Sequence, residues 1–250
     1  MSVLLIAWRE LRSLLTSTVG WVVLCGFLFI TGTMWTLSVF GYVAMSSDVV
    51  YDPYAASQLT FTSALLGPWF GNVSIILVLG APALSMRAFS EELQQRTLEL
   101  LLTSPVSTLE IVLGKYLGVV GYAGLVLAAT SYAPLGLYAV GSPDPGAIAA
   151  GYLGLLCLAS CVVSLGLVFS AFTSSQLTAF IATFSVALGG YLVGVFDPDP
   201  DAVVTQLSLS THLMDLFRGA VRLSDLVYFG GVTVFCLFAT WQRLESFRWR

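Results

Sequence analysis

Six long apolar stretches constrain this chain more than any other feature of its sequence. Each is close to the roughly 20 apolar residues that a helix needs to cross a hydrocarbon core, and none contains Asp, Glu, Lys, Arg or His. The stretches cover residues 20–43, 61–86, 116–140, 147–172, 177–196 and 226–242. Because these runs are continuous and do not alternate with period 2, they favour helices over an outer-membrane barrel. The expected fold is an all-α integral membrane protein with six transmembrane helices, forming one transmembrane domain over residues 1–250.

The distribution of Lys and Arg predicts the orientation of these helices. Only 10% of the residues are charged, against about a quarter in soluble domains. If both termini are cytoplasmic, eight Lys and Arg residues lie inside and only Arg218 and Arg222 lie outside. We therefore expect a multi-pass membrane protein with both termini cytoplasmic. The net charge of -4 then belongs to the external loops, including residues 197–225, and does not indicate a nucleic-acid partner.

The N-terminal residues 1–18 are typical of an amphipathic helix. Apolar and charged side chains occupy different faces of it, the apolar ones being Leu4, Trp8, Leu11 and Leu15 and the charged ones Arg9, Glu10 and Arg12. Such a helix lies in the membrane interface. The alternative is a short extension of the first span, but the polar residues 16–18 favour a break before Gly20.

The charged segment 87–115 lies between the second and third apolar stretches. Ser90 is a candidate N-cap of a helix that continues to about Thr103, with carboxylates in the first turn, where the helix dipole favours them. Its apolar and polar residues separate onto two faces, which predicts a helix along the inner membrane surface.

A sharp corner is expected directly after this surface helix. Pro105 ends the helix, and Ser107 with Glu110 forms an S-x-x-E capping box that starts the next one. A rigid helix joined by a tight turn to a spanning helix can transmit force, so we assign this role to Pro105, Ser107 and Glu110. The alternative is an interfacial helix that only supports the bundle.

Four glycines in and before the third apolar stretch share one face, which allows another helix to approach closely. We interpret them as helix-packing positions: Gly114, Gly118, Gly121 and Gly124.

Residues 86–118, "MRAFSEELQQRTLELLLTSPVSTLEIVLGKYLG", resemble the cytoplasmic loop of ABC-2-type permeases, the membrane subunits of ABC transporters of the type V exporter architecture. The resemblance is carried by Met86, Arg87, Glu91, Glu92, Thr97, Leu98, Glu99, Leu101, Leu102, Thr103, Pro105, Ile111, Gly114 and Lys115. Arg96 departs from the family pattern, which commonly has Gly there, and we expect it to stiffen the helix. The weaker matches near both ends are closest to the gliding-motility-associated branch, with the later one including Arg218, Gly219, Asp225 and Tyr228.

The resemblance implies that the loop contains a coupling helix that docks on a separate ATP-binding subunit. The residues assigned to this contact are Glu91, Glu92, Gln95, Arg96, Thr97, Glu99, Leu102 and Thr103. It also implies a second permease copy or a paralogous permease, and allows an auxiliary membrane protein with an external domain. The resemblance further implies a location in the bacterial cytoplasmic (inner) membrane, with membrane lipid around the assembly, and implies that ATP and Mg²⁺ are bound by the partner.

The chain itself is expected to be a non-catalytic subunit without its own cofactor or metal. The Walker A pattern is not met around Gly114 and Lys115, because Tyr116 follows where Ser or Thr is required. The only histidine, His212, is interpreted as a loop or interface residue. Two other function classes stay open. An ATP-independent secondary transporter or channel is disfavoured by apolar stretches without ionisable residues, and a structural scaffold is the third class.

Overall fold

The computed structural model describes residues 2–49, 62–97, 106–139, 141–196 and 206–248. Across these ranges the chain is helical, and no strand occurs in them. Six helices are long and apolar enough to cross a membrane, which confirms the six-span, all-α prediction. They are α2 (Thr18–Val49), α3 (Gly67–Ser85), α5 (Thr108–Ala129), α7 (Pro145–Phe172), α8 (Gln176–Phe196) and α10 (Leu223–Arg248).

Four shorter helices complete the described part of the chain. They are α1 (Ser2–Thr16), α4 (Arg87–Gln94), α6 (Tyr132–Gly136) and α9 (Leu209–Phe217), with a π-helical turn at Thr62–Leu66 and a 3-10 turn at Leu137–Ala139. The third and sixth spanning helices begin earlier than the apolar stretches suggested, whereas α3 begins later, at Gly67. The third now includes Lys115 and the sixth includes Asp225. The expected external loop 197–225 contains α9.

Helix α7 occupies the centre of the bundle. It packs against α3, α4, α5, α8, α9 and α10. Its buried face is rich in small residues, which lets helix backbones approach closely where lipid removes the usual hydrophobic driving force. A Cβ on Gly151 would lie 2.3 Å from the Phe70 ring, and one on Gly166 would lie 1.8 Å from Ser85 Oγ. Both positions therefore require glycine.

The N-terminal helix is separate from the first span, as the polar residues 16–18 indicated. Helix α1 ends at Thr16 and α2 begins at Thr18, so the alternative of a continuous extension is wrong. Ser17 Oγ accepts a hydrogen bond from the Gly20 amide at 3.0 Å, and Tyr122 Oη donates to the Gly20 carbonyl at 2.8 Å. A Cβ on Gly20 would lie 2.0 Å from the Leu14 carbonyl oxygen, so the break requires glycine there.

The predicted N-cap at Ser90 is wrong. Helix α4 begins at Arg87, directly after the turn that ends α3, and Ser90 lies buried within it. Ser90 Oγ donates to the Met86 carbonyl. The helix also ends at Gln94, short of the predicted Thr103. Residues 98–105, which contain the predicted helix end and corner, lie outside the described residues.

The expectation that Arg96 stiffens this helix is also wrong. Arg96 has φ of 57°, in the left-handed region where glycine is favoured. The Thr97 amide donates to the Glu92 carbonyl at 3.0 Å, and the Arg96 amide donates to the Leu93 carbonyl at 3.3 Å. These two bonds are those of a Schellman motif, so Arg96 occupies the position that ends the helix.

We predict that Gly166→Ala destabilises the protein by about 1 to 3 kcal/mol, because the added methyl group would collide with Ser85 in a packed interface. Gly189→Ala is the matched control, since no atom lies within 4 Å of its built Cβ. Unfolding by heat or denaturant in detergent measures both variants. Equal stability of the two would contradict the proposed close contact between α3 and α7.

We also predict that Arg96→Gly raises the free energy of unfolding by about 0.5 to 1 kcal/mol, because glycine adopts positive φ without steric cost. Arg96→Ala serves as the control: it removes the same charged side chain but keeps the Cβ, so no gain is expected. A thermal melt of the three proteins tests this. If Arg96→Ala raised the free energy of unfolding as much as Arg96→Gly, the gain would come from loss of the arginine side chain and not from relief of backbone strain.

Candidate coupling site

The start of α4 is held by a residue of the spanning helix α7. Ser170, near the end of α7, accepts hydrogen bonds at its Oγ from the amides of Phe89 and Ser90, each at 2.9 Å, and donates to the Met86 carbonyl at 2.9 Å. The first amides of a helix have no partner within the helix and are usually capped by a nearby side chain. Here the capping side chain is that of Ser170, which follows Ser90 by 80 residues in the sequence. The beginning of α4 is therefore fixed to span 4.

The middle of α4 is held to span 3 by a buried lysine. Lys115 is 3% exposed, and its Nζ lies 2.7 Å from Glu92 Oε1. The same ammonium donates to the Ala88 carbonyl and lies 4.9 Å from the centroid of the Phe89 ring. A buried charge is costly unless it is paired and hydrogen-bonded, and this one has both kinds of partner. Lys115 therefore fixes α4 against α5.

The sequence indicated that Glu92 belongs to the docking face, but it did not identify Lys115 as its buried partner. The signal that could have identified the pair is a lone lysine directly before an apolar stretch, since such a charge requires a carboxylate nearby. The sequence supplies two adjacent candidates, Glu91 and Glu92, and their helix register decides between them. Glu92 is directed towards Lys115, whereas Glu91 pairs with Arg87 at 3.3 Å on the more exposed side.

The start of span 3 follows the predicted capping box. Ser107 Oγ accepts from the Glu110 amide at 3.2 Å, and the Ser107 amide donates to Glu110 Oε2 at 3.2 Å. The capping box is thus confirmed, and it starts α5 at Thr108. Its role in transmitting force stays a prediction, because Pro105 lies outside the described residues.

The glycines of span 3 face two different neighbours. A Cβ on Gly114 would lie 2.7 Å from Ile6 Cβ, and one on Gly118 would lie 2.6 Å from Glu10 Cβ, so both are covered by α1. Gly121 is near Leu11 of the same helix, whereas Gly124 is near Leu156 of α7. The close contact at the first two positions brings α1 against the part of α5 that carries Lys115.

A polar cleft of about 370 Å³ lies where α1, α4 and α5 meet. Its lining contains both basic and acidic side chains, including Arg9, Glu10, Arg87, Glu91, Glu92 and Lys115. Gln95 also lines the cleft and donates to Glu91 Oε1 at 3.4 Å. The described docking residues thus divide into an outer group, Glu91, Gln95 and Arg96, and the inward Glu92. Thr97 follows the helix end, and Glu99, Leu102 and Thr103 lie outside the described residues.

This arrangement is suited to mechanical coupling. A short helix with an exposed acidic and polar side is attached by directional bonds to one end of each of two spanning helices. The bond from Lys115 to Glu92 is charge-assisted and therefore stronger than a neutral one, and it joins α4 to α5, whereas the bonds of Ser170 that join α4 to α7 are neutral.

Comparison with known proteins agrees with the sequence resemblance. The chain is 29% identical, over 135 residues, to proteins named "Probable multidrug ABC transporter permease YbhR" from Escherichia coli strain K12 and from Escherichia coli O157:H7. The match covers 50% of this chain and 35% of each relative, so the chain spans about a third of the length of the curated relatives it matches. The profile described as "ABC-2 family transporter protein" matches residues 4–218, which is most of the chain. The chain therefore belongs to the ABC-2 family of transporter proteins.

Proposed function

We propose that this chain is the membrane-spanning permease subunit of an ABC transporter, driven by ATP hydrolysis in a separate subunit that docks on α4. The observation that carries the proposal is the double attachment of α4, through Ser170 to span 4 and through Glu92 and Lys115 to span 3. The family supplies the general expectation of an ABC ATP-binding partner. The output is export of a substrate or mechanical work across the membrane.

The docking contact centres on the exposed side of α4. Glu91 is 37% exposed at its side chain, and its contacts with Arg87 at 3.3 Å and with Gln95 at 3.4 Å are long and lie within the same segment, so it can exchange them for a basic group on the ATP-binding subunit. Glu92 then acts as the connection to the membrane helices and not as a docking residue. Displacement of α4 passes to spans 3 and 4 directly, in addition to any route through the corner at Pro105.

The proposed topology follows the distribution of positive charge. Both termini and α4 lie on the cytoplasmic side of the inner membrane, and α9 lies outside. ATP and Mg²⁺ are held by the partner, because the chain lacks the Walker A pattern. Two permease domains form the translocation unit, either as two copies of this chain or with a paralogous permease. We also propose that an auxiliary membrane protein with an external domain joins the assembly. Within the family, we place the chain nearest to the gliding-motility-associated branch.

An ATP-independent transporter is the competing function class. The sequence argument against it was that the apolar stretches contain no acidic or basic residue. Among the described residues, the extended spans contain two buried acidic or basic side chains, Lys115 and Asp225, which the apolar stretches did not include. Both lie near helix ends and have charged or titratable partners, Glu92 and His212. This placement fits anchoring of neighbouring segments better than an ion path through the middle of the membrane.

We predict that Glu91→Lys weakens association with the ATP-binding subunit about tenfold, because it reverses a charge at the edge of the docking face. The test is an affinity measurement with the ATP-binding subunit that co-purifies with the unaltered chain. Arg218→Glu, an equal charge reversal far along the chain in the turn after α9, should leave the affinity unchanged. Equal affinity of the Glu91 variant and the unaltered protein would contradict docking on this face.

A double-mutant cycle tests the connection to span 3. Lys115→Met and Glu92→Gln should each reduce the free energy of unfolding by about 2 to 3 kcal/mol, since each leaves a buried polar partner uncompensated. The double variant should lose much less than the sum, with a coupling energy above about 1 kcal/mol. Chemical denaturation in detergent provides the three values. Additive losses would show that the two residues do not hold α4 to α5.

A further inference from the structure

Arg243 lies near the end of the last spanning helix and is held between two aromatic rings. Its Cζ atom is 4.9 Å from the centroid of the Phe172 ring and 4.6 Å from that of the Phe247 ring. Phe172 is the last residue of α7, whereas Phe247 follows Arg243 by one turn of α10. A guanidinium ion is attracted to the face of an aromatic ring. The two rings therefore fix the position of the cation between the ends of α7 and α10.

The N–H groups of this guanidinium have no oxygen acceptor among the described residues. The Nε atom is buried without a hydrogen-bond partner, and no ion pair between described residues includes Arg243. Glu245 is two positions further along α10, which is about 200° around the helix, so it projects from another side. A guanidinium carries five N–H donors, and aromatic rings replace an oxygen acceptor only weakly. The site therefore lacks the acceptor that its donors require.

Arg243 differs in this respect from the other arginines whose side chains the structure describes. Arg87 is half-buried like Arg243, but it pairs with Glu91 at 3.3 Å. The others are exposed, so that water satisfies them: Arg9, Arg12, Arg96, Arg218 and Arg222. Arg243 combines partial burial between rings with the lack of a carboxylate partner in the described part of the chain. This combination favours an anionic ligand from outside the chain.

The position of Arg243 along its helix indicates the source of that anion. The apolar stretch 226–242 ends at the residue before it, so Arg243 is the first charged side chain beyond the part of α10 that crosses the hydrocarbon core. Phe172 is likewise the last residue of the apolar stretch of α7. Both residues therefore lie at the level where lipid phosphate groups begin, and the nearby Trp241 is typical of this level of a membrane.

The surface around Arg243 also suits acyl chains. Phe172 is 58% exposed, so the ring that covers the guanidinium is itself part of the outer surface of the bundle. Further along α10, towards the middle of the membrane, Val234, Phe235 and Phe238 are exposed as well. A carboxylate of a soluble protein would pair with the cation but leave these apolar side chains uncovered. A phospholipid supplies both the anion and the apolar cover.

We propose that Arg243, held between Phe172 and Phe247, binds the phosphate group of an anionic phospholipid. The planar guanidinium donates hydrogen bonds to the phosphate oxygens, a geometry to which its fork of N–H groups is suited. An acyl chain lies along the exposed apolar side chains of α7 and α10. Lipids that carry an ammonium group bind more weakly, because that cation already neutralises their phosphate. The topology proposed above places the site in the inner leaflet, but the site itself depends neither on that topology nor on an ATP-binding partner.

Native mass spectrometry of the full chain in detergent, titrated with phosphatidylglycerol or phosphatidylcholine, tests the proposal. The unaltered chain should bind phosphatidylglycerol more tightly. Arg243→Gln should weaken this binding about tenfold, because it removes the charge that strengthens the hydrogen bonds to phosphate. Arg12→Gln, the loss of an exposed arginine on α1, should leave it unchanged. Equal binding of the two lipids by the unaltered chain, or an equal loss in the two variants, would overturn the proposal.

Two further measurements examine the rings and the source of the phosphate. Phe172→Leu should weaken phosphatidylglycerol binding about threefold, because it keeps an apolar side chain but removes one aromatic face from the guanidinium. Phe238→Leu is the matched control, since that exposed ring contacts Trp241 instead. An excess of inorganic phosphate should not displace the lipid. Displacement would show that the site takes free phosphate, and equal binding by the two phenylalanine variants would show that the ring contact is unimportant; either result would contradict the proposed site.

Discussion

The burial of the Lys115 ammonium beside Glu92 is the interaction on which the coupling site depends. A lysine at 3% exposure within an apolar bundle is stable only where a carboxylate and a carbonyl surround it. That requirement fixes the register of α4, since only one of its two adjacent glutamates can face span 3. The other glutamate is left on the exposed side. The buried charge of Lys115 therefore determines which face of α4 contacts the spanning helices and which face is available to a partner.

Small residues make this arrangement possible. Gly114 and Gly118 allow α1 to lie on span 3, and Gly166 allows span 2 to approach span 4 at Ser85. The turn into α4 follows immediately, within reach of Ser170. The coupling site is therefore an extension of the bundle packing, and α4 has little freedom to move without the helices beneath it.

The sequence predicted those features that depend on neighbouring residues. Continuous apolar runs identified the six spans, polar residues identified the break at Ser17, and the S-x-x-E spacing identified the cap at Ser107. The failures involve contacts between distant parts of the chain or the backbone conformation of one residue. Ser90 has the composition of an N-cap, but Ser170 supplies the cap from another helix. Arg96 has good helix propensity, but it takes positive φ at a helix end. Neither periodicity nor propensity carries that information.

The proposed coupling requires that α4 and span 3 move as one body when the ATP-binding subunit changes state. Distances between spin labels at the exposed positions Gln94 on α4, Leu125 on α5 and Phe29 on α2 test it in the assembled transporter with and without nucleotide. We expect a constant distance between Gln94 and Leu125 while the distance between Gln94 and Phe29 changes. A nucleotide-dependent change between Gln94 and Leu125 would contradict it.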